Sequence, residues 1–180
     1  MKPLNLLTLI CLLMGSCFFA SCEKENLTSE EEVTASTQRK SLLETIKSNN
    51  DFSILYDAIV LAEMTATFEA DKDYTFFAPD NNAFAAFLAR QNWDSIAEGS
   101  TSQIKSIIEF HISDQGKVMS NQFTNGQKFK IMHGNYDVQL NLNDPEKPTA
   151  VLGLTSGIII TKDIEATNGV MHRIDGVLSL

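Results

Sequence analysis

The chain contains few residues that could do chemistry, and its three histidines come first among them. A metal centre or a general acid–base site needs histidine to converge with a carboxylate. His111 shares the apolar side of a predicted helix with Ile104 and Ile108, and His172 lies in a short apolar stretch. Both are therefore expected as neutral, hydrogen-bonded core residues, whereas His133 is expected in a surface turn. No metal ion, cofactor or catalytic residue is predicted.

The other polar groupings also favour structure over catalysis. Asp80, Asn81 and Asn82 could hold a cation, but this grouping at the start of a helical pattern predicts an N-cap. The sequence contains no G-x-S-x-G, H-E-x-x-H, P-loop or G-x-G-x-x-G motif. We therefore expect a protein that is not an enzyme, with a small hydrolase or carbohydrate-active enzyme as an alternative. Trp93 is the one aromatic residue that we single out as able to stack on sugars.

All three cysteines lie in an N-terminal leader. Lys2 precedes a mostly apolar run over residues 4–20, which is the layout of a signal peptide. The leader ends in "FASC", which is similar to a bacterial lipobox, and this similarity implies that Cys22 is acylated and becomes the first mature residue. "MGSC", ending at Cys17, is a competing site. A spanning anchor is the other alternative, although 17 residues is short for a bilayer core of about 30 Å.

The sequence thus divides into a lipoprotein signal peptide over residues 1–21, a flexible tether over residues 22–40 and one domain over residues 41–180. The tether is rich in Glu, Ser and Thr and almost lacks large apolar side chains, which disfavours a packed structure. From residue 41 onward the sequence has 18 acidic and 10 basic residues, which gives a formal net charge of −8. Such a surface should repel nucleic acid.

The first half of the domain has the period of helices. Residues 49–64 and 100–112 place apolar side chains at intervals of three and four. Asp51 is the expected N-cap of the first of these helices, and Ser100 or Thr101 of the second.

Between these helices, "YTFFAPDNNAFAAFL", residues 74–88, predicts a strand, a turn and a helix capped by Asp80 or Asn81.

The second half has the period of strands. Strict alternation over residues 136–142 places Tyr136, Val138, Leu140 and Leu142 on one face, which is expected to be buried. Together with a final strand around residues 170–178, it predicts antiparallel pairing with one wet face. Helices that precede strands predict an α+β fold.

Three blocks of the domain resemble conserved blocks of the fasciclin-like family. "YTFFAPDNNAFAAF" is similar to the first block, "FHI" followed by "GKV" to the central Tyr-His segment, and "DIEATNGVMHRIDGVL" to the closing block almost residue for residue. The resemblance covers about residues 42–178. It implies a wedge of two β-sheets with several helices packed alongside, found in secreted or membrane-anchored proteins and associated with adhesion.

The resemblance also implies structural roles. It places His111, Asn168, Gly169, His172 and Asp175 in a structural family motif rather than in a catalytic site. Gly169 is expected to supply a positive φ at the Asn-Gly turn that returns the last strand to the sheet.

Asp163 and Ile164 are the candidate ligand contact. In animal fasciclin-like adhesion proteins, an Asp-Ile pair at this place is assigned to integrin binding together with the Tyr-His segment. The resemblance therefore implies a contact through the edge that presents this pair. The integrin itself does not follow, because Phe110 replaces the usual Tyr and the flanking Lys162 and Glu165 differ from the family. The alternative is that Asp163 is a polar residue at a strand end.

These observations predict a lipid-anchored cell-envelope binding module that mediates adhesion to an extracellular or envelope protein or to a glycan. The predicted location is the bacterial outer membrane, with the domain facing the periplasm or the cell surface. The alternative is an accessory subunit that docks on another envelope complex and has no external ligand.

Overall fold

The computed structural model describes residues 39–180. Cys22, the predicted signal peptide and all but the last two residues of the predicted tether lie outside the described residues. The α-helices are α1 (Leu42–Lys47), α2 (Ser53–Leu61), α3 (Thr65–Glu69), α4 (Asn81–Gln91) and α5 (Thr101–Glu109). Short 3₁₀ helices lie at Asn50–Phe52, Ile96–Glu98 and Ser120–Gln122.

Two of the predicted helix starts are confirmed by their caps. The Asp80 side chain accepts a hydrogen bond from the Ala83 N–H over 2.8 Å at the start of α4. At the start of α5, Ser100 and Gln103 form a reciprocal capping box. Such caps satisfy amides that the helix itself leaves without a partner.

The expected N-cap at Asp51 is wrong. The 3₁₀ helix that precedes α2 is instead capped by Asn49, whose side chain accepts from the Asp51 N–H over 2.9 Å. α2 then begins at Ser53 without a side-chain cap. The Asp51 carboxylate therefore caps no helix. It forms an ion pair with Arg173, near the end of the sequence.

The strands form one mixed sheet. They are β1 (Tyr74–Pro79), β2 (Ile112–Ser113), β3 (Lys128–Lys130), β4 (Asp137–Asn141), β5 (Thr149–Leu152), β6 (Thr155–Ala166) and β7 (Gly169–Ile174). Their order is β2-β1-β7-β6-β5-β4-β3. β3 to β7 pair antiparallel as predicted, whereas β1 runs parallel to β7.

The long strand β6 joins the two expected sheets. Its first residues pair with β5 and the remainder pairs with β7, across two register shifts. Irregularities of this kind bend a strand and increase its twist. The α+β fold is thus confirmed. The two expected sheets form one continuous seven-stranded sheet, and β6 belongs to both of its parts.

The core has two parts on opposite faces of the central strands. In β1, Phe76 belongs to the cluster beneath the helices and Phe77 to the cluster enclosed by the outer sheet. β1 is consequently buried along its whole length, which explains its unbroken apolar run. β4 alternates instead, with Val138 and Leu140 buried between exposed polar residues. Tyr136 precedes β4 and is exposed, so its predicted place on the buried face is wrong.

Within residues 39–180, no helix could cross a membrane. The longest of the helices described, α4, has 11 residues. At 1.5 Å per residue it is about 16 Å long, roughly half of a bilayer core.

Candidate functional site

Asn168 connects three parts of the domain. Its Oδ1 accepts from the Leu42 N–H over 2.8 Å, at the first residue of α1. Its Nδ2 donates to the carbonyl oxygens of Phe68 and Ala70, each over 2.9 Å, at the end of α3. The side chain is buried, and its donor and acceptor groups are all engaged with the backbone. Asn168 therefore joins the turn before β7 to two helices.

Gly169 has the expected positive φ, but space is its stronger constraint. Its φ is +157°. A Cβ at this position would lie 2.5 Å from the Tyr74 carbonyl oxygen and 3.0 Å from Leu42. Because Tyr74 is the residue opposite Gly169 in the parallel β1–β7 pair, a side chain here would force the two strands apart.

Asp175 closes the other end of β7. Its Oδ1 accepts from the Ile158 N–H over 2.6 Å, and its own N–H donates to the Ile158 carbonyl over 3.1 Å. The exposed carboxylate thus extends the β6–β7 pairing past the last residue of the strand.

His111 is completely buried just beyond α5. Its Nδ1 lies 2.7 Å from the Ile107 carbonyl and its Nε2 accepts from the Leu178 N–H over 2.9 Å. These partners require Nδ1 to carry the proton and Nε2 to be bare, so the ring is neutral. Burial lowers the pKa of His111 to about 4, although the bond to Ile107 opposes this shift.

His172 is also buried and neutral. Its Nε2 donates to the Val118 carbonyl over 3.1 Å, and its Nδ1 accepts from the Asp163 N–H over 3.3 Å. Burial lowers its pKa, against the opposing effects of the Val118 bond and the Asp163 charge. An Asp163 carboxylate oxygen lies 3.9 Å from Nδ1, but Nδ1 carries no proton in this arrangement, so the contact is not an ion pair.

Asp163 lies inside β6 at the irregular part of the β6–β7 pairing, not at a strand end. Its φ of +59° is left-handed, a conformation that Asp adopts more readily than most residues. One carboxylate oxygen accepts from the Ser120 N–H over 2.7 Å and the other from the Ser120 hydroxyl. Partial burial opposes ionisation, but the two Ser120 bonds, with help from the Lys162 charge, produce a net lowering of the pKa of Asp163.

Ile164 is half-buried and packs against the core beneath the helices. The expectation of an exposed isoleucine beside Asp163 is therefore wrong, because the irregularity in β6 turns this side chain inward. Lys162 and Glu165, on either side of the pair, are exposed. Glu165 forms ion pairs with Lys117 over 3.0 Å and with Arg39 over 3.6 Å. The ligand contact at Asp163 and Ile164 stays a prediction, and exposed neighbours would have to supply most of it.

Arg173 forms an ion-pair network that the sequence reasoning missed. Its guanidinium donates twice to one Asp80 carboxylate oxygen, over 2.8 and 2.9 Å, and once to Asp51 over 2.6 Å. Asp80 is buried, and the bonds to it are the main reason why the pKa of Arg173 is raised. The single arginine of the closing block was the available sequence signal.

The three histidines do not converge. His133 pairs with Glu109 over 2.9 Å and its ring lies 4.4 Å from that of Phe110, so it is partly covered rather than fully exposed. No group of three or more His, Cys, Asp or Glu residues within the described chain could hold a metal ion. Since both nitrogens of His111 and of His172 are bound to backbone groups, neither ring is available to a substrate.

A groove beside Trp93 is a second candidate surface. Its volume is 240 Å³, and its lining residues are Phe87, Gln91, Trp93, Gln103, Ser106, Ile107, Phe110, Ser179 and Leu180. The half-buried indole meets the Phe87 ring edge-on, with 6.0 Å between centroids. It also lies against Gly99, where a Cβ would come within 2.8 Å of the ring. Glycine thus leaves the space that the indole occupies.

The fold matches that of a solved fasciclin structure. It superposes with a TM-score of 0.65 on a FAS1 domain pair from the insect cell adhesion molecule fasciclin I, over 78% of this chain and 51% of that one. Sequence identity in that comparison is 15%, so it establishes the fold alone. Residues 50–180 also match the family model for the fasciclin domain. The chain therefore belongs to the fasciclin domain family, whose domains are non-enzymatic adhesion modules.

Several curated proteins are similar in sequence. Transforming growth factor-beta-induced protein ig-h3 from Sus scrofa is 29% identical over 144 residues, which are 76% of this chain and 19% of that protein. Protein sll1483 from Synechocystis is 26% identical over 153 residues, covering 80% of this chain and 76% of its own length. The chain thus spans about a fifth of ig-h3 and about three quarters of the cyanobacterial protein.

Proposed function

We propose that the protein is a lipid-anchored binding module of the cell envelope that mediates adhesion to a protein or glycan ligand. The observation that carries this proposal is the fasciclin domain itself, which occupies residues 50–180 and has the fold of an insect cell adhesion molecule. The neutral, fully hydrogen-bonded states of His111 and His172 support binding rather than catalysis.

The anchor is proposed at Cys22, which follows the "FAS" of the leader. A single acyl chain of myristoyl size gives only reversible membrane binding, with an association constant of about 10⁴ M⁻¹, so stable attachment needs at least two chains. Acylation at Cys22 would hold the domain at a membrane surface through the segment before residue 39.

Metabolic labelling with a fatty-acid analogue tests the anchor. The wild type and Cys17→Ser should incorporate label equally, whereas Cys22→Ser should remain as an unlabelled precursor. Label that persists in Cys22→Ser would rule out this anchor, and loss of label in Cys17→Ser alone would move it to the competing position.

The adhesive role is tested by presenting the full chain on beads to an array of glycans and matrix proteins. Reproducible retention on one ligand class is the expected result. The same beads are incubated with detergent extracts of envelope membranes. A stoichiometric envelope partner without any array ligand would overturn the adhesion proposal in favour of an accessory subunit. Turnover of a chromogenic glycoside or ester would overturn it in favour of an enzyme.

The edge around Asp163 is tested by separating folding from contact. The double substitution Lys162→Ala and Glu165→Ala removes the exposed charges of this edge and leaves the Asp163–Ser120 bonds in place. A ligand that binds here should be retained at least about tenfold less well by this variant, as expected when a contact of roughly 1.4 kcal/mol is lost. Unchanged retention with an intact fold would remove this edge as the ligand contact.

A further inference from the structure

The groove beside Trp93 combines an aromatic ring with uncharged polar groups. Gln91, Gln103, Ser106 and Ser179 line it together with apolar residues, and none of the lining side chains is charged. An anionic ligand such as phosphate would need basic partners, and a cationic one would need carboxylates. The lining therefore suits a neutral ligand.

Two glutamine side chains in the groove have hydrogen-bonding groups without a partner within residues 39–180. Gln91, the last residue of α4, makes no side-chain hydrogen bond to another residue of the described chain. Gln103 uses its carbonyl oxygen to cap α5, and its amide N–H groups have no partner within residues 39–180. Each glutamine amide can donate two hydrogen bonds and accept two. Sugar hydroxyls, which donate and accept at the same site, are matched to such groups.

Apolar surface accompanies these amides. Trp93 is half-buried, and Leu180, at the rim of the groove, is 64% exposed. An indole presents a flat apolar face of the kind that covers one side of a ligand ring while hydroxyls at the ring's edge reach polar neighbours. Pockets that enclose drug-sized ligands measure about 300–1,000 Å³, whereas this groove measures 240 Å³. It therefore fits one unit of an extended chain rather than an enclosed small molecule.

We propose that the Trp93 groove binds a neutral glycan chain, with the indole against the face of one sugar ring and Gln91 and Gln103 on its hydroxyl groups. This proposal rests on the adhesive function proposed above and names the ligand class of that function. A second uncharged groove includes Asn125, Gln139 and Asn143. It has no aromatic residue, and Asn125 and Asn143 hydrogen-bond to each other over 2.9 Å, so it supplies a control and not a competing site.

Trp93 is the single tryptophan of the chain, so the protein's indole fluorescence reports on this groove. The full chain, in a detergent without a sugar headgroup, is titrated with maltohexaose, cellohexaose and mannohexaose, and with hexagalacturonate as the charged counterpart. At least one neutral hexamer should change the emission saturably, with a dissociation constant on the order of 0.1–1 mM. Hexagalacturonate should bind more weakly or not at all.

Variants decide whether the response comes from the groove. By calorimetry, Gln91→Ala and Trp93→Phe should each weaken binding about tenfold, whereas Gln139→Ala should bind as the wild type does. Failure of all three neutral hexamers to change the emission would overturn the proposal. So would unchanged affinity in both groove variants, or a response to neutral peptides alone.

The bead assay separates this proposal from the adhesive function itself. Retention on an array ligand that survives both groove variants would leave the adhesive function in place and remove the groove. The absence of any array ligand would remove the adhesive function.

Discussion

The closing block of the domain and the groove beside Trp93 use similar side chains in opposite ways. In the closing block, Asn168 makes three hydrogen bonds to backbone groups and both ring nitrogens of His172 are likewise engaged. In the groove, Gln91 and Ser179 line an open surface. The polar groups of the conspicuous motif therefore build the fold, whereas the proposed ligand surface lies where polar side chains lack partners within residues 39–180. The predictions below test this contrast through the free energy of unfolding.

The largest effect is expected for Asn168→Ala. The substitution leaves the buried amide of Leu42 and the carbonyls of Phe68 and Ala70 without their partner, and an unsatisfied buried group costs about 1–3 kcal/mol. We expect the free energy of unfolding to fall by about 3 kcal/mol, measured by urea unfolding followed by circular dichroism. Asn121→Ala, at an exposed asparagine, is the matched control and should stay within about 0.5 kcal/mol. A loss below about 1 kcal/mol for Asn168→Ala would contradict its connecting role.

His111→Ala should lower the free energy of unfolding by about 2 kcal/mol at neutral pH, through lost packing and an unpaired Leu178 amide. Its pH dependence sharpens the contrast. The pKa of His111 is about 4 in the folded state against 6.5 for a free histidine, so the unfolded chain binds more protons below pH 6.5. The stability contributed by neutral His111 is present above that pH and is lost as the pH falls toward 4, by about 3 kcal/mol at 1.36 kcal/mol per pKa unit.

Urea unfolding of the wild type and of His111→Ala across this pH range measures the effect. The advantage of the wild type should shrink with acidity and be lost by about pH 4.5. An advantage that does not change with pH would show that His111 is already charged, or exposed, in the folded protein.

A smaller loss is expected at Asp163. Asp163→Ala removes both bonds to Ser120 and places alanine at a left-handed φ, so we expect the free energy of unfolding to fall by about 1–2 kcal/mol. Asp163→Asn should lose less, because asparagine tolerates this φ and can still accept from the Ser120 amide. Thermal unfolding of the two variants gives the comparison. If Asp163→Ala matches the wild type, Asp163 does not stabilise the fold, and the structural part of the closing block begins after it.

The smallest effect is expected for Gln91→Ala. The side chain is exposed and alanine is a better helix former than glutamine, so the free energy of unfolding should change by less than about 0.5 kcal/mol. Urea unfolding checks this value. A larger loss would place Gln91 among the residues that build the fold, and the contrast between the two regions would disappear.

Local signals and family blocks predicted much of this fold from the sequence. Ser100 and Asp80 were recognisable as caps because capping depends on residues three positions apart. The strict alternation of apolar and polar residues around Val138 predicted a strand with one buried face, as β4 has. In the closing block, the Asn-Gly pair indicated the turn before β7.

The remainder depended on contacts that no spacing rule encodes. Asp51 was mistaken for a cap because its partner, Arg173, lies 122 positions away. The bond between Asp163 and Ser120 could not be predicted because the two residues are 43 positions apart. The inward orientation of Ile164 could not be predicted because it follows from the register shifts in β6. The groove beside Trp93 is invisible in the sequence for the same reason, since its walls come from α4, α5 and the last two residues.

The position of β7 determines when the domain can fold. β7 is the last strand in the chain, yet it lies between β1 and β6 in the sheet. Until residues 169–174 have emerged from the ribosome, β1 and β6 both expose unpaired edges, and neither part of the core is closed. Pairing over such sequence separations is slow, because loop-closure entropy is lost before the contacts compensate for it. A chain that stops before residue 169 therefore lacks the one strand that closes both parts of the core at once.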